Sequence, residues 1–341
     1  MSIQEIGRGP SRATLSRVAE EASVSISTVS KVLNGRSGVS DATRARVEEL
    51  LKDHRYNRRN SGQTVAPLVE LVFQQIDGAW AVEIIQGVER VARENGMSVI
   101  LTESGDRHSP AATWIDGVLQ RRPAGVILIL SDLSPSQKHQ LRTRKIPFVL
   151  VDPTGDPAPD VPSIGSANWN GGYLATRHLV ELGHRQIAMI TGPEDIMCST
   201  ARLSGYRAAL EGAGIPFRAD YVTTGNFDYE SGVARARELL ELEDAPTAIF
   251  AGSDLQALGV YEAARSAGIS IPDELSVVGY DDLKLASWAG PPLTTVRQPL
   301  TEMAEEATRL VLRLRTEEQV DNLRLDLATR LIVRGSTRPL S

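Results

Sequence analysis

TLSRVAEEASVSISTVSKVLN, residues 14–34, has the periodicity of two short helices joined by a tight turn. Thr14 is placed to cap the first helix, and Val18, Ala19 and Ala22 fall on one of its faces. Ser23-Val24-Ser25 supplies the turn. Ser25 caps a second helix whose Val29, Val32 and Leu33 point inward while Ile26, Ser27, Thr28 and Lys31 point out. Two such helices bury too little surface to stand alone, so a third is expected from Ser40 to Asp53, with Val47, Leu50 and Leu51 turned inward. A unit of this form is a helix-turn-helix, which offers the exposed start of its second helix to base edges in a DNA groove. A small amphipathic bundle that binds no DNA has the same periodicity; the Ser/Thr-rich turn and small outward side chains favour the DNA reading.

The charge follows the same division. Residues 1–60 hold 11 Lys/Arg against 7 Asp/Glu, whereas the whole chain of 341 residues is at −6, so a basic head precedes an acidic body. That asymmetry fits one nucleic-acid-facing end. Cys198 is the only cysteine, which excludes an intrachain disulfide and favours a reducing compartment. The start MSIQEIGRGPSRAT has no secretory apolar stretch, and runs such as Gly125–Leu130 are strand-sized. A cytoplasmic chain without a membrane partner is expected.

After Tyr56 the pattern breaks into NRRNSGQTVAP, residues 57–67, a polar linker. From Leu68 the apolar runs LVELVF, SVILT, GVILIL, PFVLVD, QIAMIT, AIFAG and LSVVGY alternate with helical patterns over 82–94, 114–121, 136–144, 171–182, 201–213, 229–240 and 255–267. Strands this apolar, separated by amphipathic helices, predict buried parallel sheets covered on both faces. The units exceed one small sheet, and DPTGDPAPDVPS (152–163) interrupts them halfway, so two doubly wound lobes are expected. The expected division is a head over 1–56, a linker over 57–67 and a two-lobed body over 68–341.

Ligands of such sheets lie beyond the carboxyl ends of the strands. Asp152 ends FVLVD, Arg202 opens the helix of ARLSGY, Ser253-Asp254 follow AIFAG, and Asp281 ends SVVGYD. Carboxylates and a guanidinium bind vicinal hydroxyls bidentately, and an aromatic such as Phe227 stacks on the apolar face of a sugar. Each residue taken singly reads equally as a helix cap or a surface ion pair. Trp80 and Trp169 belong either to the cleft mouth or to packing, His184 to a surface turn, and Cys198 to a redox sensor or to no special role. No HExxH, GxSxG, GxGxxG or GxxxxGK[ST] motif occurs, so no enzyme, metal or cofactor is expected. The pair Asp281-Asp282 does not change this, because adjacent residues at a strand end point apart.

The run TLSRVAEEASVSISTVSKVLNGRSGVSDATRARVEELLKDHRY resembles the N-terminal domain of the lac-repressor (LacI/GalR) family of bacterial transcription regulators. The resemblance continues through HLVELGHRQIAMITG, ARLSGYRAAL, PTAIFAGSDLQALGVYEAA, LSVVGYDD and PPLTTVRQPL. It implies an α/β protein: a three-helix helix-turn-helix head and a two-lobed body like that of periplasmic sugar-binding proteins, crossed by the chain three times. The crossings are expected near residues 161–164, 290–293 and 320–324. It implies that Ile26, Ser27 and Lys31 read bases, and that Thr14, Ser25, Ser30, Asn34, Thr43 and Tyr56 hold the phosphate backbone, where Thr14 and Ser25 also serve as caps. Asp152, Arg202, Phe227, Ser253 and Asp281 match effector-contacting positions, with Ser253 where asparagine is frequent. The implied partners are a pseudo-palindromic double-stranded operator, a second copy of the chain, and a small effector. A carbohydrate is the first expectation; nucleobases and other metabolites stay open, as do inducer and corepressor roles. The chain stops at TRLIVRGSTRPLS without apolar heptads, which favours a dimer over the family's tetramer.

The linker departs from that family. Relatives carry a longer Ala/Leu-rich segment that folds into a hinge helix on DNA and wedges a leucine into the minor groove. Here Gly62 and Pro67 oppose a helix and no leucine lies between Tyr56 and Leu68. Arg58 and Arg59 are read instead as reaching phosphates or a narrow minor groove, the alternative being a flexible tether with solvated arginines. Two other classes compete with a regulator: a transport sugar-binding protein, disfavoured by the helix-turn-helix and missing signal peptide, and an enzyme, for which no nucleophile or metal constellation appears.

Overall fold

The computed structural model describes residues 15–33, 38–53, 65–76, 78–105, 110–316 and 320–340. The head is the expected trio: α1 (Leu15–Glu21), α2 (Ile26–Leu33) and α3 (Asp41–Asp53). Their core is Val18, Ala19, Ala22, Val29, Val32 and Val47, with Leu33, Leu50 and Leu51 packed at its margin. Ser23 takes a left-handed backbone (φ 55°) and turns the chain between α1 and α2.

Lobe 1 begins with β1 (Leu68–Phe73), α4 (Gly78–Glu94), β2 (Ser98–Glu103), α5 (Ala112–Arg121) and β3 (Gly125–Ile129). It continues with α6 (Pro135–Thr143), β4 (Phe148–Val151) and β5 (Ser163–Ser166). Lobe 2 holds α7 (Asn168–Glu181), β6 (Ile187–Thr191), α8 (Met197–Gly212), β7 (Val222–Thr224) and α9 (Tyr229–Leu240). It adds β8 (Ala248–Ala251), α10 (Asp254–Ala267), β9 (Ser276–Asp281), α11 (Lys284–Trp288) and β10 (Thr294–Arg297). The chain then returns with α12 (Leu300–Arg315) and β11 (Arg324–Leu327) to lobe 1, and ends with β12 (Arg330–Ile332) in lobe 2. The sheet orders are β11-β5-β4-β3-β1-β2 and β12-β10-β9-β8-β6-β7; β10 and β12 pair antiparallel and all other neighbours are parallel.

The apolar strands are buried on both faces because successive side chains feed opposite cores. Val69, Leu71 and Phe73 of β1 join Ile127, Ile129, Val149 and Val151 against α4 and α12, while Val126, Leu128, Phe148 and Leu150 face α5 and α6. Lobe 2 repeats the arrangement with α9 and α10 on one side and α7 and α8 on the other. Glu70, the one charge in LVELVF, is fully buried; Arg121 grips it through Nε (3.0 Å) and Nη2 (2.6 Å), and the Trp114 indole donates to it at 3.1 Å.

The three crossings lie later than the sequence suggested. The first falls between β5 and α7 at Ala167, the second between β10 and α12 at residues 298–299, and the third between β11 and β12 at residues 328–329. The Pro/Gly breaks at 161–164 and 290–293 end loops, but β5 still pairs with β4 and β10 with β9 before the chain leaves the sheet. Helix α12 was likewise not anticipated after LSVVGY. Its buried stripe of Met303, Ala304, Ala307, Leu310 and Val311 closes lobe 1.

Candidate DNA-reading head and effector cleft

In the head, the Ser25 Oγ accepts the Thr28 backbone N–H at 3.1 Å, capping α2. The same hydroxyl meets Ser27 Oγ at 2.7 Å and Thr28 Oγ1 at 2.9 Å. Ile26 is 51% exposed at the first turn, and Ser27 and Lys31 are exposed beside it. Thr43 is half-buried, with Ser40 Oγ accepting its N–H at 3.3 Å at the start of α3; Ser30 is also half-buried. Thr14, Asn34, Tyr56, Arg58 and Arg59 lie outside the described residues.

A cleft of about 630 Å³ opens between the lobes, and Asp152, Arg202, Phe227, Ser253 and Asp281 all line it. Lobe 1 also contributes Gln74, Gln75 and Trp80, and lobe 2 Asn226, Asp228 and Glu230. Arg202 is 4% exposed and held on three sides: Nε donates to Asn168 Oδ1 (2.8 Å), Nη1 to the Gly252 carbonyl (2.7 Å) and Nη2 to Gln298 Oε1 (3.0 Å). Its guanidinium lies 3.6 Å from the centre of the Tyr280 ring and 5.3 Å from that of Phe227. Gln298 completes a bridge between lobes, its Nε2 donating to Asp152 Oδ2 at 2.6 Å. This geometry needs α7 and α8 pressed together: a Cβ on Gly172 would lie 2.1 Å from the Arg202 carbonyl oxygen. The Phe227 ring in turn covers Gly192, where a Cβ would lie 1.9 Å from Cζ.

Four cleft residues other than glycine, Leu130, Asp152, Phe227 and Asp281, have positive φ (45–114°) at or just beyond strand ends. Such backbone costs about 1–3 kcal/mol per residue and is kept where the fold over-determines it, commonly at ligand clamps. Burial pushes the Asp152 carboxyl above its ordinary range, against the pull of Arg202 and Gln298. Asp281 is pushed up to about 7, again by burial with Arg202 opposing. Burial also raises the Cys198 thiol to about 12, so this cleft-lining sulfur stays protonated, which does not suit a redox sensor.

Several expectations change. Ser253 lines the cleft, but its hydroxyl caps α10, accepting the Gln256 N–H (3.1 Å) and donating to the Phe227 carbonyl (2.8 Å). Asp254 is fully buried and does not line the cleft. Trp80 lines it, whereas Trp169 is 48% exposed and stacks on Tyr173. His184 is buried, bonded to Thr247 Oγ1 (2.9 Å) and Ser276 Oγ (3.0 Å), and burial lowers its pKa. Asp281 and Asp282 do point apart: the latter leaves the cleft for Arg334. Asn168, Tyr280 and Gln298 were missed, since no local pattern distinguishes an amide that meets its partner 34 to 146 positions away. Among the described residues, no group of three or more His, Cys, Asp or Glu could hold a metal ion, and no helix is long and apolar enough to cross a membrane.

Residues 14–59 match the domain of bacterial regulatory proteins of the lacI family, and residues 176–337 match the periplasmic binding protein-like domain. The ribose operon repressor of Escherichia coli K12 is 34% identical over 333 residues, 95% of this chain and 99% of its own. The transcriptional regulator CelR of Thermobifida fusca is 36% identical over 337 residues, 95% of this chain and 98% of its own. The chain belongs to the LacI family. The structure of a CelR–cellobiose complex superposes with a TM-score of 0.72 at 34% identity, covering 95% of this chain and all of that one. A lac repressor dimer bound to operator superposes at 0.69, with 27% identity over 96% of this chain and 99% of the other. As a LacI-family member the chain is a DNA-binding transcriptional regulator, not an enzyme.

Proposed function

We propose that this LacI-family regulator is a cytoplasmic homodimeric repressor of carbohydrate-related genes, controlled by a neutral saccharide bound between its lobes. Residues 1–56 form the DNA-reading unit, 57–67 the tether and 68–341 the sensing and pairing body. Each subunit lays α2 in one major-groove half-site of a pseudo-palindromic operator, with Ile26, Ser27 and Lys31 at base edges. Thr14, Ser25, Ser30, Asn34, Thr43 and Tyr56 hold phosphates, as hydroxyls, amides and helix starts do. Arg58 and Arg59 add contacts from the tether.

The observation that carries the effector reading is the convergence of Asp152, Arg202, Phe227 and Asp281 on one cleft. Ionised carboxylates accept hydroxyl hydrogens, the guanidinium donates to ring or hydroxyl oxygens, and Phe227 and Trp80 offer apolar faces. The described lining carries four acidic groups, Asp152, Asp228, Glu230 and Asp281, the first and last with burial-raised carboxyls, against Arg202 alone, and three of its five N–H groups are already bonded within the protein. That balance repels a phosphorylated sugar and suits an uncharged polyol. Ligand in the cleft acts by binding the closed and open arrangements of the lobes unequally, which changes the spacing of the two heads.

Thermal unfolding of the full-length chain with ribose, cellobiose, other neutral sugars, nucleosides and sugar phosphates tests this, followed by operator anisotropy with each hit. A neutral sugar is expected to raise Tm and change operator affinity. Stabilisation by a nucleoside or a sugar phosphate, with none by neutral sugars, would overturn the effector class.

A further inference from the structure

The segment that follows β9 leaves the lobe it comes from. Asp281 faces the cleft, and Asp282 is fastened to lobe 2 by Arg334 (Nη2–Oδ1 2.5 Å). The next residue, Leu283, also lines the cleft, is 2% exposed and packs into the core of lobe 1; among the described residues it is the only buried lobe 2 side chain in that cluster of β1, β3, β4, β5, α4 and α12 residues. Leu285 packs at the same cluster's margin. Lys284 Nζ lies 3.8 Å from Glu83 Oε1 on α4, and the other Glu83 oxygen accepts the Thr301 hydroxyl of α12 at 3.0 Å. Four consecutive residues thus touch the cleft, lobe 2, the core of lobe 1 and helix α4.

What fixes the start of this segment is Asp254, the residue after the cleft-lining Ser253. It is fully buried, and two donors converge on it: the Leu283 backbone N–H at 2.7 Å on Oδ2 and the Thr295 hydroxyl at 2.6 Å on Oδ1. The ionised carboxyl accepts from both at once; the protonated acid and an amide alike keep an acceptor for the Leu283 N–H while presenting one donor, to which the threonine hydroxyl turns. The carboxyl has no cation beside it among the described residues, and burial followed by the neighbouring Asp281 charge raises it well above its ordinary value. A buried acid without an ion pair is costly to keep, so its geometry must matter to the fold around it. The start of α4 meets the same region from the other side, since a Cβ on Gly78 would lie 3.5 Å from Leu255 Cδ1.

We propose that residues 281–284 are a strap coupling the cleft to helix α4 of lobe 1, and that Asp254 is the positioning residue that holds the strap in register. A ligand that draws on Asp281 then moves Leu283 within the lobe 1 core and α4 with it, so the interlobe signal has a defined route beyond the three crossings. The regulatory meaning of the strap rests on the cleft being the effector site. The coupling itself is a property of the protein without ligand.

Hydrogen exchange read by mass spectrometry on the full-length chain, with neither DNA nor sugar, tests that coupling. In Asp254→Ala, amides of residues 282–286 and of the first two turns of α4 are expected to exchange about tenfold faster, while α5, α6 and β6 keep their protection. Asp254→Asn should fall close to wild type, because the carboxamide keeps an acceptor for Leu283. Faster exchange at 282–286 with α4 unchanged, or loosening spread evenly over lobe 2, would overturn the proposal. If Asp254→Ala does not fold, the charge reversals Lys284→Glu and Glu83→Lys read the same contact. Each alone should speed exchange in α4 about twofold and the double variant should restore it; additive effects would overturn the strap. A screen in which no neutral sugar binds would refute the effector reading and leave the exchange result unaffected.

Discussion

The head and the cleft present their candidate side chains in opposite ways. On α2, Ile26, Ser27 and Lys31 stand exposed on a scaffold that Val29 and Val32 hold from the other face. In the cleft, Asp152, Arg202 and Asp281 are buried and surrounded by amides and rings that they help to order. The difference follows from the ligands. A DNA groove comes to the protein's surface and is read by side chains that reach outward, whereas a small molecule is gripped only where water has been excluded. On the proposed assignments, operator specificity is free to vary at little cost to folding, and effector specificity is tied to the stability of the two lobes.

The sharpest way to break that comparison is Arg202→Ala. Removal strands the Gly252 carbonyl and Gln298 Oε1, leaves Asn168 Oδ1 with only the Tyr280 hydroxyl, and leaves the Asp152 and Asp281 carboxyls without their neighbouring cation, so a loss of about 3–5 kcal/mol in urea unfolding is expected together with loss of effector response. A variant as stable as wild type would show that the cleft is no more bound to the fold than the head. Lys31→Ala should do the reverse: about 1–3 kcal/mol less operator affinity, concentrated at one base pair per half-site in a randomised-site selection, with unfolding unchanged to within about 0.5 kcal/mol. Full base discrimination in that variant would move the recognition surface off Lys31.

Replacing both Arg58 and Arg59 by alanine should weaken operator binding for all sequences and, with four arginines lost per dimer, flatten the dependence of log affinity on log salt by about 3–4. An unchanged slope would make the tether merely flexible, and a strong central kink in a circular-permutation gel would restore the leucine-wedge geometry that its sequence opposes. The smallest effect concerns protons. With the folded Asp281 at about 7 and an ordinary value of 3.8, the native state holds a proton that the unfolded chain has lost between those limits, so this residue's contribution to stability declines as pH rises through that window and is lowest above 7. Sugar hydroxyls that donate to the ionised form release that proton, so affinity for a bound sugar should fall below pH 7, by at most about tenfold per pH unit. Titrations of wild type and Asp281→Asn should differ in this pH dependence; parallel curves would place the titrating group elsewhere.

Much of the fold was legible because its signals are local. The a-turn-b pattern of residues 14–34 gave α1 and α2 to within a residue, and AIFAG and SVVGYD marked strands whose ends carry cleft residues. β11 and β12 were not legible: RLDL is largely exposed and RLI is only three residues long, so neither alternation nor a continuous apolar run announces them. The resemblance implies three crossings without fixing their positions, and a loop signal is the same whether the chain turns within a lobe or leaves it. His184 looked like a surface turn because ELGHRQ is polar, yet the C-terminal segment folds over it, and the Arg338 carbonyl lies 3.2 Å from Nε2.

The sequence by itself determined the helix-turn-helix, the two lobes, the family and the residue types at three strand ends, since each depends on periodicity or on a motif read within a few positions. Only the tertiary structure decided that Gln298 joins Asp152 to Arg202 across the lobes, that Ser253 serves α10 as a cap, and that Leu283 leaves lobe 2 to fill the core of lobe 1. Those contacts join residues far apart in the chain, and their energies come from burial and mutual hydrogen bonding that exist only once both lobes have folded.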